Sequence, residues 1–363
     1  LGMITDALWS DFDMDGKVDL ILTGEWMPVT FLKNTGSGFS SVNQSTGIEK
    51  HVGWWNSITS GDFDNDGDLD YVAGNLGINS HFKASFKEPM TILANDIDDN
   101  GKLDPMIFYY VKAQDGSRKP FPMHTRDDLI SQVVSIRKRY PTFKSFGQAA
   151  MDDIWSKQQK EQAIRMDVTD LNTSYIENKG KGRFTIKALP IDAQIAPVYG
   201  MLSKDVNGDG NLDLLMVGND YGMEPLGGRH DAFMGLCLKG NGKGGFTAMT
   251  IAESGFFIKG DAKGLARIHT DSGGELMLAT QNQDNLLVYS RESGQGQIKT
   301  NWISLRPHDL SADIIFKDNK KRRVEFYYGD TYLSQSSRKL ALDKGVLKVV
   351  ITDYKGDKRD AFK

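Results

Sequence analysis

The sequence predicts an all-β fold, a β-propeller of four-stranded blades with a helical insertion and a small C-terminal β unit. Three observations predict it. An acidic pattern that runs into a strand recurs four times. A glycine-rich hairpin pattern recurs downstream of some of those strands. Glycine is abundant, 38 residues against 10 prolines, as a chain of short strands and tight turns requires.

The acidic stretches read Asp11-Phe-Asp13-Met-Asp15-Gly16-Lys17-Val-Asp19, Asp62-Phe-Asp64-Asn-Asp66-Gly67-Asp68-Leu-Asp70, Asp96-Ile-Asp98-Asp-Asn100-Gly101-Lys102-Leu-Asp104 and Asp205-Val-Asn207-Gly-Asp209-Gly210-Asn211-Leu-Asp213. Chance predicts on the order of 0.02 matches to the acidic and glycine positions in such a chain. A hard cation such as Ca²⁺ takes about six to eight oxygens. Side chains at positions 1, 3 and 5 of a tight loop converge on one point, and glycine at position 6 permits the reversal. Position 7 (Lys17, Asp68, Lys102, Asn211) offers its backbone carbonyl, so its side chain is free to vary. The aspartate at position 9 closes the cage. An EF-hand would close with Glu at position 12, between helices. Here position 12 is Leu22, Ala73, Ile107 or Met216 in strand-like sequence, so that alternative fails. About four calcium sites are expected.

Short apolar runs after Asp19, Asp70, Asp104 and Asp213 read as buried strands. The hairpin pattern is Phe31-Leu-Lys33-Asn34-Thr-Gly36-Ser-Gly38-Phe39, Tyr175-Ile-Glu177-Asn178-Lys-Gly180-Lys-Gly182-Arg-Phe184 and Leu236-Cys-Leu-Lys239-Gly240-Asn-Gly242-Lys-Gly-Gly-Phe246. Loop, two strands and hairpin together make one four-stranded blade of a propeller spanning about residues 1–300. The gap from Asp96 to Asp205 is too long for one blade. A helical insertion is expected at about 125–164, together with a blade that lacks a metal loop. Thr125 before Asp127 and Asp128 reads as a helix start. Downstream of Gly260 the strand order returns with the acidic loop eroded. Residues 302–363 read as a small separate β unit, richer in Lys and Arg.

A net charge of -4 gives no basis for non-specific nucleic-acid binding. Cys237, the single cysteine, excludes an intrachain disulfide and a cysteine zinc site, and its apolar surroundings predict a buried thiol. No run approaches the roughly 20 apolar residues of a membrane span. The start, Leu1-Gly2-Met3-Ile4-Thr5, has neither initiator Met nor visible signal peptide, so a fragment of a longer chain, from which a targeting signal would be missing, is expected.

At the acidic loops the sequence resembles the FG-GAP/VCBS repeats of integrin α-subunit propellers and of many bacterial surface proteins. The stretch Gly329-Asp-Thr-Tyr-Leu333-Ser-Gln-Ser-Ser-Arg338, with Asp353-Tyr-Lys-Gly356, looks like the ASPIC/UnbV segment that follows such repeats. The combination is similar to large exported VCBS-repeat proteins of Bacteroidetes-type bacteria. The resemblance implies calcium in the loops and an extracellular, cell-surface or periplasmic location. The Phe-Gly pair of the repeat is largely absent, so integrin-like ligand binding is not carried over.

The function expected is a binding scaffold, not an enzyme, that engages a protein or glycan through its loops. Two alternatives stand beside it. One is a carbohydrate-active lyase or glycosidase with a site beside the insertion, and the other is a purely architectural part of a surface assembly. Candidate ligand-binding groups are Arg126, Asp127 and Asp128 near His124, then Asp220 and Tyr221, with Arg229, His230 and Asp231 following. Arg-His-Asp runs on loops are more often solvated surface than catalytic machinery, and no nucleophile motif, phosphate loop or zinc motif accompanies them. Trp54-Trp55 invites sugar stacking, but adjacent strand residues face opposite ways, and core packing is the better expectation.

Overall fold

The computed structural model describes residues 2–223, 227–270, 274–290, 302–318, 320–342 and 345–363. The expected boundary near residue 300 lies outside them. The fold is mostly β, with several antiparallel sheets, most of four strands, and short helices of four to seven residues. Two compact units divide the chain. One comprises residues 1–50, 54–79 and 172–363, and the other 51–53 and 80–171.

In the larger unit the first sheet is built from Met3–Ser10, Asp19–Pro28, Thr30–Asn34 and Phe39–Ser41, in chain order. The second sheet pairs Ser57–Gly61 with Asp70–Gly74. The chain then leaves for the smaller unit and returns at Ser174–Asn178 and Phe184–Ala188 to complete the same sheet. The Tyr175 hairpin therefore belongs to the sheet of the second acidic loop, over 100 residues earlier in the chain. A third sheet runs Val198–Lys204, Asp213–Gly218, Leu236–Gly240, Phe246–Met249. A fourth has three strands, Ala262–His269, Glu275–Gln281 and Leu287–Ser290.

Successive sheets share cores. Leu8, Ile21 and Phe31 of the first pack with Ile58, Tyr71 and Ile176 of the second. Val72 and Tyr175 of the second pack with Met201, Leu214 and Leu238 of the third. Leu215 and Cys237 of the third meet Leu265 and Ala279 of the fourth. Cys237 is buried. Trp55 is fully buried in the first of these cores, while half-buried Trp54 leans on Trp26, with ring centroids 5.8 Å apart.

A further sheet, in the order Lys321–Glu325, Asp309–Phe316, Val346–Asp353, Lys358–Phe362, belongs to the same compact unit.

The smaller unit has its own sheet, in the order Arg118–Pro122, Asp104–Lys112, Met90–Asn95, Ile164–Val168, with five short helices between Arg126 and Gln162. Its core joins Leu93, Met106 and Phe108 of the sheet to Leu129, Val133 and Trp155 of the helical segment. The third acidic loop lies in this unit. Among the described residues no helix is long and apolar enough to cross a membrane.

Candidate metal centre

Each acidic loop joins the first two strands of its sheet, and the register is the same in all four. Ser10 pairs with Asp19, Gly61 with Asp70, Asn95 with Asp104 and Lys204 with Asp213. The ninth-position aspartate thus opens the second strand directly opposite the residue that precedes the loop. The sixth-position glycines hold φ of 86° (Gly16), 98° (Gly67), 84° (Gly101) and 85° (Gly210), the left-handed region that disfavours any side chain.

Position 4 is left-handed too, at Met14 (φ 59°), Asn65 (60°), Asp99 (57°) and Gly208 (79°). The sequence signal was present in three of the four loops, because Asn, Asp and Gly are the residues that tolerate this conformation. Met14 departs from it.

The loops are wound by side-chain-to-backbone bonds. The first carboxylate accepts the glycine N–H, at 3.2 Å for Gly16 to Asp11, 2.7 Å for Gly101 to Asp96 and 2.9 Å for Gly210 to Asp205. The fifth-position side chain accepts the seventh-position N–H, at 3.0 Å from Lys17, 3.1 Å from Asp68, 2.9 Å from Lys102 and 3.0 Å from Asn211. The carboxylates consequently face one another. In Asp11/Asp13/Asp15, Asp62/Asp64/Asp66 and Asp96/Asp98/Asp104, one oxygen from each residue lies within 4.8 Å of the others. The fourth loop has an amide, Asn207, where the others have a carboxylate at position 3.

The ninth aspartates also clasp the sheet. Asp19, Asp70 and Asp213 accept the N–H of Asn34 (2.7 Å), Asn178 (2.9 Å) and Gly240 (2.9 Å) on the neighbouring strand. Asp70 additionally takes the Tyr175 hydroxyl at 2.7 Å. This is why Asn recurs before the hairpin glycines. Its amide reaches back to Val18 O from Asn34 (3.0 Å) and to Leu69 O from Asn178 (3.2 Å).

Among the described residues, three buried carboxylate oxygens of the loops find no hydrogen-bond partner, Asp19 Oδ2, Asp62 Oδ1 and Asp68 Oδ1, and the amide oxygen of Asn65 in loop 2 is in the same state. Leaving a carboxylate oxygen dry and unpaired is costly, whereas a coordinated cation would satisfy it. Burial, reinforced by repulsion from Asp66 and Asp64, pushes the Asp62 carboxyl up to about 7. Burial and the charges of Asp66, Asp64 and Asp62 push Asp68 up to about 7 as well. Burial also raises Asp19 to about 6 and Asp70 to about 8. Such a set cannot all ionise without a compensating positive charge. Hard oxygen donors with unpaired buried atoms fit a calcium ion, and Asp11, Asp13, Asp15 and Asp19, or their counterparts, would hold it.

Residues outside the acidic pattern brace the loops of the larger unit. Arg323 N–H donates to Asp62 Oδ2 at 3.1 Å, and its guanidinium lies 3.5 Å from Asp11 Oδ2. Arg322 donates to Gly210 O at 2.6 Å, and Asp11 N–H donates to Glu325 Oε1 at 3.1 Å. Sequence reading set this stretch in a small separate β unit and did not link it to the loops. The available signal was the basic run Lys320-Lys321-Arg322-Arg323 in a chain otherwise dominated by acidic loops.

Several of the other candidates make local structural contacts. In the smaller unit, Arg126 donates to Tyr140 O (2.8 Å), pairs with exposed Asp127 (3.0 Å) and stacks over Phe143. Asp128 forms a reciprocal cap with Thr125 on the helix Arg126–Gln132, and His124 Nε2 accepts the Ile107 N–H at 3.3 Å. In the larger unit, Asp220 and His230 exchange backbone hydrogen bonds of 2.8 and 2.9 Å. The Asp220 carboxylate takes Gly222 N–H (2.8 Å) and the Tyr199 hydroxyl (3.2 Å). Arg229 lies over the Tyr221 ring at 4.7 Å, and Asp231 is exposed.

These features define a mostly β repeat protein with three acidic clusters that could hold a metal ion. Residues 11–73, which span the first two acidic loops, match the FG-GAP-like repeat family, whose repeats typically bind calcium. A search of curated proteins finds no match to the chain.

Proposed function

We propose that the chain is a calcium-stabilised binding scaffold, exported to the cell surface, the periplasm or the extracellular medium, whose repeat sheets are arranged as propeller blades. The observation that carries the reading is the set of buried, unpartnered oxygens at Asp19, Asp62 and Asp68 inside loops of hard oxygen donors. Shared cores between successive sheets support the blade arrangement. Calcium bound only by the folded loops contributes its binding energy to folding. Its extracellular abundance suits sites that staple a fold in an exported protein.

Binding is favoured over turnover because Arg126, Asp128 and Asp220 are engaged in caps and turns. The ligand surface would be formed by inter-strand loops presenting to a protein or glycan. Thermal unfolding with calcium and after exhaustive chelation tests the metal half, with a higher melting temperature expected in calcium. Equal melting temperatures in the two conditions would discard it. Glycan-array and surface-protein binding tests the scaffold half, and polysaccharide turnover by the purified chain would replace it with the enzyme alternative.

A further inference from the structure

Loops 1, 2 and 4 (Asp11–Asp19, Asp62–Asp70 and Asp205–Asp213) share one compact unit and one construction, yet the strand beside loop 2 carries the opposite charge to the strands beside loops 1 and 4. The clasp fixes the equivalence. Because Asp19, Asp70 and Asp213 hold the N–H of Asn34, Asn178 and Gly240, the residues just before these, Lys33, Glu177 and Lys239, stand at the same place in each sheet. Lys33 Nζ hydrogen-bonds Asp13 and lies 3.1 Å from Asp15 Oδ2. Lys239 Nζ lies 3.0 Å from Asp209 Oδ2. In loop 2 the place is taken by an acid, Glu177, which pairs with Lys179 just past the end of the strand.

We propose that this single strand position sets the order in which the three loops take up calcium, loop 2 first and loops 1 and 4 after it. The inference rests on the calcium reading above and adds a ranking to it. Affinity for calcium rises with the negative charge a loop presents. Loop 2 presents five aspartates, Asp68 included, and at its strand position Glu177, paired with Lys179, puts no ammonium on the loop carboxylates. In loops 1 and 4 a tethered ammonium already neutralises the carboxylates a metal would use. It must be displaced, and once displaced it still repels the divalent ion nearby. Loop 4, which also has an amide at Asn207, is the weakest of the three.

Calcium titration calorimetry on the full chain tests the ranking. Lys33→Met is expected to tighten one weak event roughly tenfold, and Lys239→Met another, while leaving the tightest event unmoved. Lys33→Arg, which keeps the charge, should change little. Glu177→Lys should weaken the tightest event by a similar factor. Glu177→Gln, with the fold checked by circular dichroism, serves if the lysine variant does not fold. Calcium uptake with affinities unaltered by Lys33→Met, or a tightest event indifferent to both Glu177 variants, overturns the ranking alone. Absence of any saturable calcium uptake by the unmodified chain overturns the calcium reading and the ranking together.

Discussion

Stripping calcium should reverse the familiar loss of stability on mild acidification. In the larger unit Asp62 and Asp68 are pushed up to about 7 and Asp70 to about 8, burial being the largest cause for each. In the unfolded chain these carboxyls return to ordinary values near 3.8. The metal-free folded state therefore binds more protons than the unfolded state between about pH 4 and pH 8. By linkage its stability rises as pH falls through that window and is lost as pH rises through the folded-state values. The Asp62 displacement alone sets a ceiling of about 4 kcal/mol at high pH. The neighbouring carboxylates share one field, so their effects do not add, and solvent screens the outer ones. About 2 kcal/mol between pH 8 and pH 5 is the expected net gain. For a chain of this size that corresponds to about 3 °C in melting temperature. With saturating calcium the carboxylates are held ionised, and the same acidification should lower the melting temperature. Differential scanning fluorimetry on chelator-stripped and calcium-loaded protein reads both slopes. A stripped protein that keeps its circular dichroism spectrum yet melts lower at about pH 5 than at about pH 8 would refute the electrostatic argument.

Three further outcomes follow from single contacts. Tyr175→Phe removes the hydroxyl that Asp70 accepts at 2.7 Å in a buried site, and should cost about 1–3 kcal/mol, read as a lower urea midpoint at unchanged m-value. Met14→Asn places a residue that tolerates the left-handed backbone at φ 59°. It should raise stability by about 0.5–1 kcal/mol, and a lower melting temperature would show that the methionine side chain has a packing role instead. Thr125→Ala breaks the reciprocal cap with Asp128 and should cost about 1 kcal/mol. Its signature is faster amide exchange over residues 126–132, with the strand Asp70–Gly74 unchanged.

The loops were legible because they are written locally. Asp11, Asp13, Asp15 and Gly16 lie within six residues, and the geometry of a turn dictates what such a spacing does. Strands were legible for the same reason, since Leu214-Leu-Met-Val217 can hardly be exposed. The partnership of strands was not. The Tyr175 hairpin completes the sheet begun at Ser57, and nothing within either segment names the other. The link is carried by Asp70, whose carboxylate is met by Tyr175 and Asn178 across more than 100 residues. Arg323 was illegible too, because its contacts are to Asp11 and Asp62, some 300 and 260 residues away in sequence. The candidates at Arg126–Asp128 and Asp220–Asp231 were readable as polar loops. Whether their charges faced a ligand or a backbone amide depended on helix caps and turns that single residues do not encode.

The ninth aspartate explains why sheet and metal loop form one folding problem. One of its oxygens, in Asp19, Asp70 and Asp213, holds the neighbouring strand. The other takes the second-position N–H of the loop in Asp70 (Phe63, 3.2 Å), Asp104 (Ile97, 3.0 Å) and Asp213 (Val206, 2.9 Å). Assembling the sheet thereby shapes the cage before a metal arrives, and a pre-shaped cage spends less of its binding energy on ordering the chain. Asp19 is the exception, because its second oxygen is buried without a partner among the described residues. Loop 1 is thus the loop whose ninth-position clasp is left open, while the unpartnered carboxylate oxygens of loop 2 belong to Asp62 and Asp68. Affinity and dependence then separate. Loop 2, with its clasp closed and the greater charge, should bind calcium most tightly, whereas the first sheet should need calcium to satisfy the clasp residue itself, Asp19.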